Sequence, residues 1–386
     1  MTENLIQAAK SFVPTILANL EQIDSNAQLP AELAKAMADK QLFSMYVPKC
    51  LGGPESDPIT AFHVVEEISK ADGSAGWCAF NGSAVTSAIS RVSIEAAKEI
   101  FGDHPIVKGS GSARATGNAK VAPGGYLVSG RWNYLSGIDH SQHLFLNCNI
   151  LDDDGPVKAE NGSQLTRMAI VPVAAGAVLN TWTTLGMRGT ASNDAEFSEV
   201  FVPDRHTFAR GGPPYHDGPL YIGETTTLMG WTLSSANALG MARGAMNAFV
   251  QLATGSASTN SKTLLRDRSI VQTTVGECEA VIDGARSYVL DAVGAMWDAQ
   301  VNKSPDLTKK ALRTRLAITH AIRQSVQVVD QLFYAAGTNA IHESVGLERF
   351  FRDLHVSGQH ISGGHPNFEY GGQMLLGAEL TAPTYA

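Results

Sequence analysis

Three histidines near the end of the chain are the residues whose type and spacing best suit proton chemistry. His355, His360 and His365 follow one another at five-residue steps. Imidazole is the side chain whose ordinary pKa lies near neutral pH, so it can take up or release a proton under physiological conditions. The residues before them have a helical pattern, whereas Gly363-Gly364-His365-Pro366-Asn367 indicates a loop. This stretch therefore predicts a proton-transfer site on a loop that follows a helix.

The composition is that of a large globular protein. Its 386 residues exceed what one hydrophobic core usually holds, so two or three domains are expected. Hydrophobic residues make up 44% of the chain and charged residues 17%, a balance that allows a sizeable core. The formal net charge of −8 argues against a nucleic-acid partner, because phosphate binding requires clustered Lys and Arg.

Cysteine spacing and hydropathy predict a soluble, cytoplasmic protein. The four cysteines lie far apart, which is typical of reduced thiols and argues against a disulfide framework or a zinc site. They are Cys50, Cys78, Cys148 and Cys278. Residues 1–20 are amphipathic and include Glu3, unlike a signal peptide. No uncharged apolar stretch reaches about 18 residues, so no membrane span is expected.

The pattern of the chain changes twice and predicts three parts. Residues 1–105 have apolar side chains at helical spacing. Residues 106–212 contain short alternating runs with Gly and Pro between them, which predict an antiparallel β-barrel or sandwich. Residues 213–386 contain long amphipathic helices, which predict a four-helix bundle. The predicted fold is α+β and mainly α, with helical, β and bundle domains in that order.

Four strings in this order resemble the acyl-CoA dehydrogenase superfamily. The first, residues 130–137, is similar to that family's strand-borne flavin segment, and the second, residues 185–194, to its "LG-x-RGT-x-S-x-D" stretch. Residues 238–244 look like its first bundle helix, and residues 349–353 look like its last. The resemblance covers most of the chain and implies that superfamily's fold, with a helical domain, a central β domain and a C-terminal bundle.

Two reactions occur within that superfamily, and one position distinguishes them. Acyl-CoA dehydrogenases use a carboxylate base, commonly about nine residues after the arginine of the final Arg-Asp pair. Counting from Arg352, that position is Ile361, which cannot accept a proton. The loop with His365 instead resembles the two-component, reduced-flavin-dependent monooxygenases, in which a histidine before Pro or Asn lies near the reactive flavin carbon. Some dehydrogenases carry the base on an earlier helix, so a dehydrogenase or related flavin oxidase is the alternative.

The resemblance implies roles for particular residues. Ser136 would bond flavin N5 and protect a C4a-hydroperoxide, and His365 would take the proton of a phenol or indole, with His355 and His360 supporting it. Without the resemblance, a glycine-flanked histidine is more often a solvated loop residue. The remaining implied contacts are Tyr134, Thr190, Ser192 and Arg266 with the flavin, and Trp77, Phe80 and Asn81 with the substrate.

The cofactor and partners follow from the same resemblance. Gly109–Arg114 begins like a dinucleotide loop but lacks the third glycine and a following helix, so no NAD(P)H site is expected. Reduced FMN or FAD would then come from a separate reductase, and dioxygen and a small aromatic compound would be the substrates of an EC 1.14 enzyme. Residues 253–258 lack the family's phosphate-binding arginine, and Arg266 is the substitute. A homotetramer is expected by resemblance, and a helical scaffold without flavin is a further alternative.

Overall fold

The N-terminal part of the chain folds as six helices within the residues described. The computed structural model describes residues 2–102, 106–223, 225–257 and 263–379. The helices are α1 (Thr2–Ala18), α2 (Leu20–Asn26), α3 (Ala31–Asp39), α4 (Pro58–Ser69), α5 (Gly73–Thr86) and α6 (Ile94–Phe101). Asp72 begins α5 by accepting a hydrogen bond from the Ala75 N–H at 2.8 Å, as N-cap aspartates commonly do. That cap fixes where α5, the helix with the predicted substrate residues, enters the core.

A single sheet follows these helices. Its strands are β1 (Gly109–Ala122), β2 (Gly125–Trp132), β3 (His143–Asp152), β4 (Gly155–Pro156), β5 (Thr166–Pro172), β6 (Ala177–Leu179), β7 (Asp194–Pro203) and β8 (Thr207–Phe208). The strand order is β6-β7-β2-β1-β3-β5-β8, with β4 beside β3. Trp132 is fully buried inside the sheet's own core, and its indole N–H donates to the Asn147 carbonyl at 2.8 Å.

One pairing departs from the predicted antiparallel arrangement. β1 and β3 run parallel, with Gly109 opposite His143, while the other paired strands of the described sheet are antiparallel. β2 runs opposite to β1, and β3 runs in the same direction as β1 and pairs with it. The alternation of side chains along a strand does not reveal which direction its neighbour runs. Gly109–Arg114 lies within β1.

The C-terminal part of the chain is helical. Its helices are α7 (Thr226–Gly255), α8 (Ser269–Val301), α9 (Leu307–Ala336), α10 (Leu347–Ser357) and α11 (Pro366–Leu376). One continuous core of buried residues joins this bundle to the N-terminal helices and includes Phe62, Leu239 and Val329. α5 packs against α7, α4 and β1, so it lies where the three parts of the chain meet.

The predicted fold class is confirmed, and one local prediction is wrong. The sequence predicts long helices over about residues 229–254, 269–300, 308–336 and 347–360 and a hairpin turn at residues 124–125. Each of these helices begins and ends within three residues of those limits. Residues 364–367 are not simply a loop, because α11 starts at Pro366, and a proline in the first helical position is a start signal. The predicted end of the first domain at residue 105 lies outside the described residues, and the domain limits stay predictions. None of the described helices is long and apolar enough to cross a membrane.

Candidate active site

Side chains from all three parts of the chain meet at one place. Trp77 and Phe80 lie on α5, and Ser136 lies in the turn after β2. The indole N–H of Trp77 donates to Ser136 Oγ at 3.1 Å. His360, just beyond α10, lies edge-on to the rings of Trp77 and Phe80, with centroid distances of 5.4 and 6.0 Å. We call these four residues the central cluster.

A row of three buried hydroxyl groups extends from Ser136 into the protein. Ser136 Oγ lies 2.7 Å from Ser192 Oγ, which lies 2.7 Å from Thr190 Oγ1. The Thr190 hydroxyl donates to the Met187 carbonyl oxygen at 2.8 Å. All three hydroxyl residues are at most 7% exposed. Thr190 and Ser192, predicted to contact the flavin edge, thus form a row that ends at Ser136, in which Ser192 contacts Ser136 and Thr190 contacts Ser192.

The turn that holds Ser136 depends on its neighbours in the sequence. Tyr134 and Gly137 both have left-handed backbone conformations, with φ of 59° and 77°. A Cβ at Gly137 would lie 2.8 Å from His140 Nε2, so only glycine fits there. The Gly137 N–H donates to the Thr190 carbonyl at 2.7 Å, and this bond joins residues 130–137 to residues 185–194, the first two strings that resemble the family.

The final Arg-Asp pair of α10 holds the second of those segments. Arg352 Nη1 donates to the Leu185 carbonyl at 2.9 Å, and the Asp353 carboxylate accepts from the Met187 N–H. Burial, followed by the nearby Asp72 carboxylate, raises the pKa of Asp353 above its ordinary value. Asp353 therefore acts on the hydroxyl row through Met187, whose carbonyl ends that row. Only the family resemblance drew attention to this pair in the sequence.

His360 heads a second row of hydroxyl groups. Its Nδ1 lies 2.7 Å from Ser362 Oγ, which lies 2.8 Å from Ser234 Oγ, and Ser234 donates to the Trp231 carbonyl at 2.7 Å. Three contacts between oxygen or nitrogen atoms need three protons, and the two serines supply two. A proton on His360 Nδ1 would supply the third, whereas the longer contact of 3.3 Å from the Ser362 N–H uses Nδ1 as an acceptor.

In the tautomer with the proton on Nδ1, the other ring nitrogen of His360 is an acceptor. Nε2 has no hydrogen-bond partner among the described residues. Burial lowers the pKa of His360 to about 4, so the ring is neutral at pH 7. A neutral imidazole with a free Nε2 lone pair beside two aromatic rings can accept a proton from a bound ligand.

His365 lies in a different environment. It is exposed, it precedes the first residue of α11, and its ring is 6.1 Å from that of Phe368. The structure brings His360 and not His365 to the central cluster, although the sequence suggested the reverse. The role predicted for His365 stays a prediction. The sequence did contain a signal for His360. It immediately precedes Ile361, the position at which a dehydrogenase commonly has its base when residues are counted from Arg352.

The other predicted contact residues are unevenly placed. Tyr134 is 59% exposed, and its ring lies 6.2 Å from that of Trp182. Asn81 follows Trp77 by one turn of α5, and its Oδ1 is buried without a hydrogen-bond partner among the described residues, as is Oδ1 of Asn133. Buried polar groups are normally hydrogen-bonded, so each of the two oxygens lacks a donor.

Arg266 lies far from the central cluster within one chain. It is exposed, its Nε lies 3.7 Å from Asp267 Oδ1, and it lies three residues before the start of α8. Ser234 near the cluster and Gly255 at the end of α7 are separated by about 30 Å of helix rise. Contact between Arg266 and the same ligand would need a ligand of that length or a second copy of the chain. The string without arginine ends at Ser258, which lies outside the described residues.

A cavity that reaches Asp139, three residues after Ser136, but is not lined by the central cluster contains an arginine that sequence reasoning did not single out. Its volume is about 650 Å³, a size typical of small-molecule sites. Arg188, Asp139, Trp182 and Asn193 are among its lining residues. Arg188 is half-buried and forms no ion pair within the part of the chain that the structure describes. Its position in the "LG-x-RGT" string was the available signal.

The order and content of these segments agree with known protein families. Residues 2–102 match the model of the acyl-CoA dehydrogenase N-terminal domain, and residues 232–363 match that of the acyl-CoA dehydrogenase C-terminal domain. The chain belongs to the acyl-CoA dehydrogenase superfamily. Within it, the chain is 28% identical over 364 residues to the indole-3-acetate monooxygenase of Pseudomonas putida, which covers 94% of this chain and 91% of the relative.

Other members of the superfamily give the same result. The oxygenase subunit of a flavin-dependent monooxygenase of Mycobacterium tuberculosis is 28% identical over 375 residues, covering 93% of this chain and 92% of the relative. The structure of XiaF from Streptomyces sp. in complex with FADH2 and glycerol is similar with a TM-score of 0.89 and 26% identity, covering 99% and 97% of the two chains. The P. putida and M. tuberculosis relatives are named as monooxygenases, the branch that the sequence resembles.

Proposed function

We propose that this protein is the oxygenase component of a two-component, reduced-flavin-dependent monooxygenase that hydroxylates a small aromatic compound such as an indole or a phenol. The observation that carries the proposal is the central cluster, in which a neutral imidazole and a serine hydroxyl converge among aromatic side chains. Ile361, where a dehydrogenase commonly has its carboxylate, is 45% exposed and has no group that takes a proton. The related indole-3-acetate monooxygenase and flavin-dependent oxygenase subunit support the same reaction class.

The residues present fit a reduced flavin, either FMN or FAD. Ser136 offers an acceptor oxygen at the end of its hydroxyl row, and the Asn133 carboxamide oxygen beside it needs a donor. The exposed ring of Tyr134 provides a flat surface next to them, and Arg188 would supply positive charge for the phosphate. Bound reduced flavin supplies the electrons that activate dioxygen for transfer of one oxygen atom to an aromatic ring.

His360 acts as the base in this proposal. Its Nε2 accepts the proton of a phenol O–H or an indole N–H, which makes the aromatic ring richer in electrons and easier to oxygenate. The Nδ1 proton stays on the row formed by Ser362 and Ser234, which holds the ring in this tautomer. Trp77 and Phe80 cover the imidazole and keep water away from the reacting groups.

The partners proposed for the protein follow from the reaction. Electrons from NAD(P)H enter through a separate reductase that delivers reduced flavin, and dioxygen and the aromatic compound are the other substrates. The name of the M. tuberculosis relative, an oxygenase subunit, supports that division of labour. We also propose a homotetramer, because a neighbouring copy could bring the distant Arg266 to the flavin of this chain.

A direct assay tests the function. The protein is mixed with chemically reduced FMN or FAD, dioxygen and a panel of indoles and phenols, and the products are identified by mass spectrometry. A product one oxygen atom heavier than its substrate is expected for at least one compound. Absence of any such product, together with bleaching of bound oxidised flavin by an acyl-CoA, would establish the dehydrogenase alternative instead.

A further inference from the structure

The hydroxyl row behind Ser136 has a direction that its proton count determines. Thr190 has one hydroxyl proton, and its only carbonyl neighbour in the row is Met187 O at 2.8 Å. A carbonyl can only accept, so the Thr190 proton points to Met187. The 2.7 Å contact between Thr190 and Ser192 then needs the proton of Ser192. Ser192 has none left for its other neighbour, so Ser136 donates its proton to Ser192 across 2.7 Å.

Ser136 is thereby left as an acceptor toward the site. Its proton points to Ser192, and one of its two lone pairs accepts from the Trp77 indole N–H at 3.1 Å. The second lone pair has no partner among the described residues. In the reverse direction the Met187 carbonyl would still accept from the Trp182 indole N–H at 2.9 Å, but the Thr190 and Met187 oxygens would lie 2.8 Å apart with no proton between them, which is unfavourable.

The two oxidation states of a flavin differ at the atom expected to face Ser136. N5 of reduced flavin carries a proton and donates, whereas N5 of oxidised flavin has a lone pair and accepts. An acceptor-only Ser136 forms a hydrogen bond with the reduced form and opposes one lone pair with another in the oxidised form. The protein would therefore hold the form that reacts with dioxygen and release the spent form.

We propose that Ser192 and Thr190 are positioning residues that orient the Ser136 hydroxyl as an acceptor, so that the site selects reduced over oxidised flavin. This inference rests on the proposed function, since it requires flavin N5 to face Ser136. It assigns to Thr190 and Ser192 an action through Ser136 instead of direct contact with the flavin. One hydrogen bond gained and one repulsive contact avoided correspond to a selectivity of about tenfold or more.

Flavin binding, rather than turnover, tests the inference. Dissociation constants for oxidised and for anaerobically reduced FMN are measured with the wild type and with Ser192→Ala and Thr190→Val. Either substitution frees the Ser136 proton to point toward the site. In Ser192→Ala, Ser136 loses its acceptor. In Thr190→Val, Ser192 loses its own acceptor and turns its proton toward Ser136. Thr190→Val keeps the shape of the side chain, which guards against loss of folding in the smaller variant.

Two further variants serve as controls. Thr190→Ser keeps the hydroxyl and the direction of the row. Ser141→Ala removes a nearby hydroxyl that donates to the Gly137 carbonyl at 2.8 Å but does not belong to the row. We expect both controls to keep the wild-type preference for reduced FMN. In Ser192→Ala and Thr190→Val, the preference should fall by about tenfold, mainly through tighter binding of oxidised FMN.

The possible outcomes separate the inference from the proposed function. Wild-type protein that binds neither flavin form contradicts the proposed function itself. Wild-type protein that prefers oxidised FMN overturns the direction assigned to the row. An unchanged ratio in both Ser192→Ala and Thr190→Val, with reduced-flavin binding intact in the wild type, overturns the inference alone.

Discussion

His360 and His365 are five residues apart and lie in opposite environments. His360 lies between α10 and a short turn, covered by Trp77 and Phe80, and its Nδ1 is tied to a row of buried serines. His365 is exposed where α11 begins. The resemblance to the reduced-flavin monooxygenases favoured His365 as the base, but packing against α5 favours His360. The difference shows that a histidine becomes a usable base through the groups that enclose it.

Replacement of each histidine in turn should separate the two regions most strongly. His360→Ala removes the proposed base and should lower the rate of aromatic hydroxylation by about 100-fold to 10,000-fold, with peroxide released instead of product. His365→Ala should stay within about twofold of the wild type, because it removes an exposed side chain. Product and peroxide are both measured after mixing with reduced flavin and dioxygen. A large loss in His365→Ala with little change in His360→Ala would restore the prediction from the sequence.

The pH dependence of stability should show the same contrast. The pKa of His360 is about 4 in the folded protein, against 6.5 for the ordinary group, so only the unfolded chain binds a proton between these values. The free energy of unfolding must therefore decrease as the pH falls, and His360 should account for about 2 kcal/mol between pH 7 and pH 5.

Urea denaturation at the two pH values measures this contribution. Burial lowers the pKa values of His140 and His143 to about 4 as well, so His360→Ala should retain the part of the pH dependence that these two groups contribute. His360→Ala should lose about 2 kcal/mol of the difference between pH 7 and pH 5, and His365→Ala should keep all of it. Equal pH dependence in the wild type and His360→Ala would mean that the imidazole is not buried in a neutral form.

Two adjacent serines on α7 provide a finer test of the His360 tautomer. Ser234 belongs to the row that holds the Nδ1 proton, whereas Ser235 is equally buried and donates to the Thr232 carbonyl at 2.7 Å. Ser234→Ala should lower hydroxylation by about tenfold, because the row loses its connection to the Trp231 carbonyl. Ser235→Ala should leave the rate near that of the wild type. Equal losses in both variants would indicate a general effect on α7 packing.

The smallest expected effect concerns two arginines. Arg188 lines the cavity that reaches Asp139, and Arg266 is 55% exposed and far from it in the same chain. Arg188→Ala should weaken FMN binding by about threefold, as loss of a partly solvated charge pair predicts, and Arg188→Lys should restore it. Riboflavin, which lacks the phosphate, should bind both variants and the wild type alike. Weaker FMN binding in Arg266→Ala alone would favour the original assignment and a contribution from a second copy of the chain.

Much of the fold could be predicted from local patterns, while the site needed tertiary information. Apolar periodicity located the long helices within three residues, and Gly124-Gly125 located the β1–β2 hairpin. The string at residues 130–137 drew attention to Ser136, and the position of an N-terminal helix in the resembled family drew attention to Trp77 and Phe80, which do meet Ser136 in the structure. The parallel pairing of β1 with β3 was not predicted, because alternation along a strand is the same in both orientations.

The position of the proposed base shows why the rest of the site could not be predicted from the sequence. Both His360 and His365 follow α10 in a stretch rich in glycine. Which of them contacts α5 depends on the turn at Ile361–Gly363 and on the start of α11 at Pro366. The first is a packing feature with no sequence pattern, whereas the second had a recognisable helix-start signal in Pro366. Spacing alone could not rank the two histidines.

A single-turnover experiment with isotope-labelled dioxygen tests the central claim most directly. Wild-type protein loaded with reduced flavin and an aromatic substrate is mixed with the labelled gas, and the product is weighed by mass spectrometry. With the wild type and with His365→Ala, the proposed reaction converts the substrate to a product that contains one labelled oxygen atom. With His360→Ala, it converts little or none of the substrate to that labelled product. Unlabelled product, or full labelling in His360→Ala, would contradict the oxygenase reaction in the first case and the base assigned to it in the second.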